Sequence, residues 1–145
     1  MTASVVYYST MAYRIFLVDD DRFLLDLYAV KFKNAGHTVG VFGGGEELIT
    51  ALKKEGAKAP DAILLDLIMP GLSGFETLEI MRKNHLANGA KVIILTNQGQ
   101  DSDIEKAKNL SADGYIIKAS AIPSEVLAET VRTIESNAGN IGAPA

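Results

Sequence analysis

The sequence predicts an α/β domain in which a five-stranded parallel sheet carries helices on both faces. Five short apolar runs, typical of buried strands, alternate with five segments whose apolar residues recur at helical spacing. The connections between them are short, as expected for right-handed crossovers between parallel strands. With 145 residues, one domain with a single proper core is the default.

The first strand and first helix are predicted from the segment that begins at residue 15. Residues 15–18 form a short apolar run that ends in three aspartates. Asp21 suits the start of the helix, because acidic side chains favour helix N-termini. Gly36 suits the position just beyond its end. The apolar stripe of this helix combines five side chains at helical spacing: Phe23, Leu24, Leu27, Tyr28 and Val30.

The second and third strands are predicted over 37–42 and from Pro60 onward. Between them, the glycines at 43–45 turn the chain into a second helix. The third strand is predicted to be central, because its apolar run is unbroken up to Asp66 and suits a strand buried on both faces. Pro70 stops the strand, since proline cannot continue the ladder.

Two Ser-x-x-Glu patterns predict where the third and fourth helices begin. They are Ser73 with Glu76 and Ser102 with Glu105, each of which can form a capping box. Helical spacing then predicts the inward-facing residues, which are Phe75, Leu78 and Met81 in the third helix and Ile104, Ala107 and Leu110 in the fourth.

The fourth and fifth strands are predicted over 90–96 and 114–118. The fourth ends in the hydroxyl of Thr96 and the fifth in the ammonium group of Lys118. Pro123 is expected to open the last helix, because proline is favoured in a first helical turn. The core-facing stripe of that helix is Val126, Leu127, Val131 and Ile134.

Composition narrows the classes of partner. The net charge of −4 and the pI of about 5.1 give no global basic field for nucleic acid or an anionic membrane. Without cysteine there is neither a disulfide framework nor a thiolate metal site. The uncharged opening run is too short and too polar to span a bilayer and lacks a basic n-region. We therefore expect a cytoplasmic protein with no direct binding to nucleic acid or membrane.

The domain itself is predicted to occupy residues 13–137. Residues 1–12 carry no charge and no clear period, so they are expected to be a disordered extension, although 5–8 have strand propensity. Residues 138–145 are expected to be a flexible polar tail.

Chemically active side chains follow four of the predicted strands. They are Asp19 and Asp20, Asp66, Thr96, and Lys118. The carboxyl ends of parallel strands lie at one edge of a sheet, so these groups can converge in the crevice where such sheets bind ligands. Taken alone, Asp66 fits equally well a polar residue that only marks a strand's end.

Three carboxylates in one crevice repel one another unless a cation is present. Mg²⁺ suits such a set, because it prefers carboxylate and carbonyl oxygens and keeps several waters. A lysine and a hydroxyl beside carboxylates and Mg²⁺ provide the charge neutralisation and hydrogen bonds that a phosphoryl group needs. The sequence therefore predicts a phosphoryl site with Mg²⁺ as its cofactor.

With these motifs, the chain resembles the receiver domains of two-component response regulators, which have the (βα)₅ flavodoxin-like doubly wound fold. The resemblance covers about 13–137. The motifs that carry it are VDD at 18–20, LLDLIMPGLSG at 64–74, LT at 95–96 and DGYIIK at 113–118. Each motif is weak alone, whereas four in order at strand ends are specific.

The resemblance implies a role for each matching residue. Asp66 is the phosphoacceptor, and Lys118 pairs with it and then with a phosphoryl oxygen. Thr96 hydrogen-bonds the phosphoryl group and Tyr115 then moves inward, as a two-state switch. The implied Mg²⁺ ligands are Asp19, Asp20, Asp66 and the main-chain carbonyl of Ile68.

The resemblance also implies partners and a mode of action. A stand-alone receiver would take its phosphoryl group from a sensor histidine kinase or a histidine phosphotransfer protein. It would signal to a protein target through the face formed by the fourth helix, fifth strand and fifth helix, with a homodimer as a further expectation. Such a domain has only self-phosphotransfer and self-dephosphorylation chemistry, so it is not expected to be an enzyme.

Three positions bear on these expectations. Ala119 stands where the family usually has proline in a cis peptide, and a cis bond to alanine costs roughly 3 kcal/mol. Asn97 replaces the small residue that the family prefers. Ile68 is poorly suited to position an attacking water, so we predict a phosphorylated form that decays slowly.

Two other functions stay open at the level of sequence. One is a pseudo-receiver, a protein-binding scaffold that is not regulated by phosphorylation, which Ala119 and Asn97 favour. The other is a phosphohydrolase or flavin-binding enzyme. Ile68 argues against a phosphohydrolase, because it stands where a second acid would be needed, and no flavin phosphate loop is evident.

Overall fold

The computed structural model describes residues 11–136, which contain five strands and five α-helices in strict alternation. The strands form one parallel sheet in the order β2-β1-β3-β4-β5. The predicted fold class is therefore confirmed. The elements are β1 (Arg14–Val18), α1 (Arg22–Asn34), β2 (Thr38–Phe42), α2 (Gly45–Lys53), β3 (Ala62–Leu65), α3 (Gly74–Lys83), β4 (Lys91–Thr96), α4 (Asp101–Asn109), β5 (Gly114–Ile117) and α5 (Pro123–Glu135).

Each face of the sheet has its own apolar core. Side chains of β3 alternate between the two, with Ile63 and Leu65 on one face and Leu64 on the other. The first core is closed by α2, α3 and α4, and the second by α1 and α5. Because β3 is covered on both faces, its four residues are all buried, as the unbroken apolar run predicts.

The predicted core face of α1 is wrong. Phe23, Leu27 and Val30 are 77%, 44% and 58% exposed. The helix carries a second apolar row, rotated by about half a turn, and that row faces the sheet. Tyr28 belongs to it, and Leu24 packs partly against the same core. The buried residues of α1 are Leu25, Tyr28, Ala29 and Phe32.

The inner stripes predicted for α3 and α5 are confirmed. Leu78 and Met81 are fully buried, and Phe75 packs against the same core. In α5, Val126 and Val131 are buried, while Leu127 and Ile134 pack partly against the second core. Helix α4 is more exposed than α3 and α5, and Ala107 is its one buried residue.

The predicted helix starts are confirmed at three helices and wrong at α4. The side chain of Asp21 caps α1, Ser73 and Glu76 form a complete capping box, and α5 begins at Pro123. Helix α4 instead begins at Asp101, so Ser102 lies within its first turn and makes no cap. The N-cap residue is Gln100, whose side chain makes no capping hydrogen bond.

Several strand ends differ from the sequence prediction. Lys118 is not part of β5 but begins a short 3₁₀ turn that extends to Ser120. His37 lies just before β2 and is buried, where its Nδ1 atom accepts a hydrogen bond from the Tyr13 N–H at 3.1 Å. The third strand begins at Ala62 instead of Pro60.

The predictions for both chain ends fall largely outside the described residues. Of the segment 1–12 only Met11 and Ala12 are described, and both are exposed. The segment 138–145 is not described. Within residues 11–136, no helix combines the length and apolar character needed to cross a membrane.

Candidate functional site

Two buried aspartates follow neighbouring strands at the carboxyl edge of the sheet. Asp19 comes directly after β1 and Asp66 directly after β3. The backbone N–H of Asp66 donates to the Val18 carbonyl at 3.0 Å, and that of Asp19 donates to the Phe42 carbonyl at 3.1 Å. Because the ladder continues through both residues, their side chains are held side by side at the top of the sheet.

Lys118 joins these two carboxylates. Its Nζ atom lies 2.5 Å from Asp19 Oδ2 and 3.2 Å from Asp66 Oδ2. All three side chains are nearly buried, so water screens these charges weakly. Each aspartate also accepts a backbone N–H with its other oxygen: Asp19 from Asp21, and Asp66 from Leu67. The carboxylates are thus fixed on both sides.

Burial and the paired charges shift the pKa values of Lys118 and Asp19. Burial by itself lowers the pKa of Lys118, but the hydrogen bonds and charges of Asp19 and Asp66 outweigh it and raise the pKa above its ordinary value. The lysine is therefore a cation at neutral pH. Burial raises the pKa of Asp19, against the opposing hydrogen bonds from Lys118 and the Asp21 N–H.

The same edge offers a set of oxygen ligands. One carboxylate oxygen from each of Asp19, Asp20 and Asp66 can be chosen so that all lie within 4.8 Å of one another. Asp20 is exposed, and the carbonyl of Ile68 accepts no hydrogen bond from any residue in the described range 11–136. This all-oxygen donor set, with one side open to water, fits a hard divalent cation such as Mg²⁺.

Thr96 and Tyr115 meet at the loop that follows β4. Thr96 is buried at the strand's end, and its Oγ1 atom accepts the Gln98 N–H at 3.3 Å. The Tyr115 hydroxyl donates to the Gln98 carbonyl at 2.5 Å. Burial, and then the charge of Asp103, raises the pKa of Tyr115 to about 12, so the hydroxyl stays protonated. Both predicted switch residues therefore contact the same loop.

The departures noted in the sequence leave Lys118 in place. The peptide bond between Lys118 and Ala119 is trans, and the 3₁₀ turn starts there. Lys118 nevertheless reaches both carboxylates, so proline at position 119 is not needed to aim it. Asn97 is exposed beside the site.

One residue that holds the site was missed from the sequence. Glu46, in the first turn of α2, accepts the Leu72 N–H at 3.0 Å and so anchors the loop that follows Asp66. Gly71 in that loop has φ of +77°, and a Cβ there would come within 2.4 Å of the Glu46 carboxylate. In sequence, Glu46 suits only its own helix terminus, because a contact across 26 residues leaves no local pattern.

The start of α3 packs directly against the phosphoacceptor candidate. A Cβ added to Gly74 would lie 2.2 Å from the Asp66 carbonyl oxygen. The Gly74 N–H donates to the Leu67 carbonyl at 2.9 Å. Gly74 is therefore required for close backbone approach, which fixes the loop 67–73 at both ends.

A comparison with known families agrees with this geometry. The model of the response regulator receiver domain matches residues 15–132, most of the chain. This chain belongs to the response regulator receiver domain family. The match includes every residue placed at the site above.

Individual relatives have the same architecture. A CheY-like response regulator receiver domain from Methanospirillum hungatei is 25% identical, with a TM-score of 0.77, over 86% of this chain and 95% of that one. The receiver domain of DrrB, a Thermotoga maritima protein, was solved in a form described as BeF3-activated. It is 28% identical, with a TM-score of 0.72, over 87% of this chain and all of that one.

A longer relative is the DNA-binding response regulator MtrA of Mycobacterium tuberculosis. It is 30% identical over 128 residues, which are 88% of this chain and 53% of MtrA. The chain thus spans about half the length of the curated relatives that it matches. The prediction that this protein does not bind nucleic acid directly gains no support from a relative of this kind and stays a prediction.

Proposed function

We propose that this receiver accepts a phosphoryl group on Asp66 from a histidine donor, with Mg²⁺ as cofactor, and signals through a changed protein-binding face. The observation that carries the proposal is Lys118, which bridges Asp19 and Asp66 at the carboxyl edge of the sheet. A buried cation shared by two acids is what an arriving phosphoryl group needs, because its own negative charge must be neutralised there.

The chemistry uses one carboxylate oxygen of Asp66 as the nucleophile. That oxygen forms a bond to phosphorus while the bond from phosphorus to the donor's imidazole nitrogen breaks, and the imidazole keeps the electron pair. The product is an acyl phosphate. Lys118 moves from the carboxylate to a phosphoryl oxygen, and the Leu67 N–H keeps the acceptor side chain oriented.

Asp19, Asp20, Asp66 and the carbonyl of Ile68 would hold the Mg²⁺. When bound, the ion neutralises charge that develops on the transferred group. Asp20 would do so from the solvent side, because it is the exposed member of the set. Asp19 has a second task, since it keeps the Lys118 ammonium beside Asp66.

The donor is proposed to be a helical histidine phosphotransfer surface of a sensor kinase or a phosphotransfer protein. The exposed row of α1 begins next to the aspartates and runs along the helix. Ile68 and Ile122 are 62% and 60% exposed, each in a loop at the same edge. Exposed apolar side chains around an acidic crevice suit a partner that packs an apolar helix face around its reacting histidine.

The output is proposed to arise from Thr96 and Tyr115. A phosphoryl group on Asp66 would draw the Thr96 hydroxyl away from the Gln98 N–H. The hydrogen bond from the Tyr115 hydroxyl to the Gln98 carbonyl would then break as well. The affected loop leads into α4, so the changed surface is the face formed by α4, β5 and α5. A downstream protein or a second copy of the receiver would bind there.

Intact mass after incubation with acetyl phosphate tests the proposal. The wild-type chain is expected to gain one phosphoryl group only when Mg²⁺ is present, and Asp66→Asn to gain none. Asp26→Asn is the matched control, because Asp26 is an exposed aspartate on α1 that does not belong to the carboxylate cluster. Labelling of Asp66→Asn, or labelling that does not depend on Mg²⁺, would contradict the proposal.

The second candidate is a pseudo-receiver, favoured by Ala119 and by Asn97 beside the site. It predicts no adduct even when Mg²⁺ binds, and equal target binding by wild type and Asp66→Asn. Mg²⁺ affinity measured separately distinguishes an inert intact pocket from a pocket that fails to form. The placement of Lys118 between both acids favours the phosphorylated receiver.

A further inference from the structure

The loop 67–73, between β3 and α3, carries the Ile68 carbonyl and is held firmly at its start. The Leu67 N–H donates to Asp66 Oδ1 at 2.8 Å, and the Leu67 carbonyl accepts the Gly74 N–H at 2.9 Å. The side chain of Ile68 is 62% exposed, so it gives the next residue no apolar anchor. The position of the Ile68 carbonyl therefore depends on how the rest of the loop is held.

Few backbone groups in the middle of this loop are bonded. Within the described range 11–136, the N–H groups of Ile68, Met69 and Gly71 donate no hydrogen bond. The Leu72 N–H does donate, to Glu46 Oε2 at 3.0 Å. That acceptor belongs to α2, so the contact ties the middle of the loop to a different helix.

The start of α2 is a rigid support for this contact. Gly45 is buried there, and a Cβ added to it would lie 3.1 Å from Leu72 Cβ, so the helix start packs directly on the loop. The two acids of the first turn act differently. Glu47 accepts the Gly43 N–H at 3.1 Å and serves its own helix, whereas Glu46 bonds to the loop.

We propose that Glu46 is a positioning residue for Mg²⁺, because its bond to Leu72 holds the loop 67–73 so that the Ile68 carbonyl stays beside the three carboxylates. This role rests on the proposed function, in which that carbonyl is a ligand. A carbonyl that is already held loses little conformational freedom when the ion binds, whereas a loose one must first be ordered. Groups that orient metal ligands contribute to affinity without touching the metal.

Two variants of Glu46 separate the contact from the charge. Glu46→Asp keeps the charge, but its side chain is one methylene shorter and falls short of the Leu72 N–H. Glu46→Gln loses the charge and keeps an acceptor oxygen at the same reach. Mg²⁺ is titrated into the ¹⁵N-labelled full chain at constant ionic strength, and the amide shifts give Kd. The Asp variant should bind Mg²⁺ about tenfold more weakly than wild type. The Gln variant should stay within about twofold, because Glu46 is exposed and its charge is screened.

Hydrogen exchange of the Leu72 amide, measured without Mg²⁺, is the second readout. Exchange should be faster in Glu46→Asp than in wild type and unchanged in Glu46→Gln, because only the first variant frees that N–H. Glu47→Ala is the matched control. It removes an acid from the same helical turn, leaves the Leu72 bond in place and should retain the wild-type affinity for Mg²⁺.

The outcomes distinguish this role from the proposed function itself. Equal Mg²⁺ affinity of wild type and Glu46→Asp would overturn the positioning role and leave the proposed function intact. Equal weakening by Glu46→Asp, Glu46→Gln and Glu47→Ala would also overturn it, because loss of charge would then be the cause. A wild-type chain without saturable Mg²⁺ shifts would contradict the proposed function, and the role of Glu46 with it.

Discussion

Helices α1 and α5 pack side by side on the same face of the sheet, yet they treat their apolar residues differently. The apolar stripe of α5 faces the core, and Val126 and Val131 in it are buried. In α1 a buried row that includes Leu25 and Phe32 faces the sheet, and a second row that includes Leu27 is left in solvent.

The difference shows how to interpret a helix with two apolar rows. At 3.6 residues per turn, the row of Phe23, Leu27 and Val30 lies about 180° from the row centred on Phe32. Folding of this domain needs only one of them. The second row makes no contact with either core, so we interpret it as a surface for a partner.

The largest effect that tests this comparison is on stability. Leu25→Ala should lower the free energy of unfolding by about 3 kcal/mol, because it leaves a cavity in the core. Leu27→Ala should cost less than about 1 kcal/mol, since much of that side chain is already in water. Val126→Ala in α5 should cost somewhat less than Leu25→Ala, because it removes fewer buried carbon atoms, and more than Leu27→Ala. Urea denaturation measures all three, and equal losses at Leu25 and Leu27 would contradict the orientation of α1.

The next effect concerns phosphotransfer. The donor is a histidine phosphotransfer domain that labels the wild-type chain. Changing Leu27 and Val30 together to glutamine should slow transfer from it about tenfold, as expected for loss of anchoring contacts. Labelling by acetyl phosphate should be unchanged, because so small a donor needs no docking surface. Arg132→Gln on the exposed face of α5 is the control. Equal slowing by that control would remove the distinction between the two helices.

A smaller effect is expected at Ile68, which extends the exposed apolar surface towards Asp66. The phosphorylated wild type should lose its phosphoryl group more slowly than Ile68→Asn, because asparagine can orient an attacking water and isoleucine cannot. Decay of the adduct mass after removal of acetyl phosphate measures both half-lives. A shorter half-life for the wild type would show that Ile68 does not protect the acyl phosphate.

The smallest effect is at the far ends of α1 and α5. Tyr13 joins them, since its N–H donates to His37 and its hydroxyl donates to Glu135. Burial lowers the pKa of His37, so the folded state binds fewer protons than the unfolded state below about pH 6.5. Stability should therefore be insensitive to this group above that pH and should fall as the pH drops below it.

Thermal unfolding between pH 5 and 8 checks this sign. His37→Gln should remove part of the acid sensitivity, whereas His85→Gln should retain it, because His85 is exposed on the loop after α3. A wild type that became more stable on acidification would reverse the inferred direction of the pKa shift.

Local sequence was enough to predict the fold and most of the candidate site. Unbroken apolar runs indicate strands that are covered on both faces, and five such runs alternating with helices leave few topologies. A parallel sheet brings its carboxyl ends together, which is enough to predict that Asp19, Asp66 and Lys118 lie close to one another. Capping chemistry at Ser73 was also local, because the box closes within four residues.

The tertiary structure alone decided two things. It selected among local alternatives, and it set the contacts between residues far apart in sequence. Both apolar rows of α1 suit a helix, and only packing against α5 and the sheet selects which one is buried. Glu46 accepts the Leu72 N–H, and Lys118 forms ion pairs with both Asp19 and Asp66. Such contacts leave no periodic pattern in the sequence. The physical reason is that propensity and hydrophobic spacing act over a few residues, whereas burial and charge pairing depend on neighbours in space.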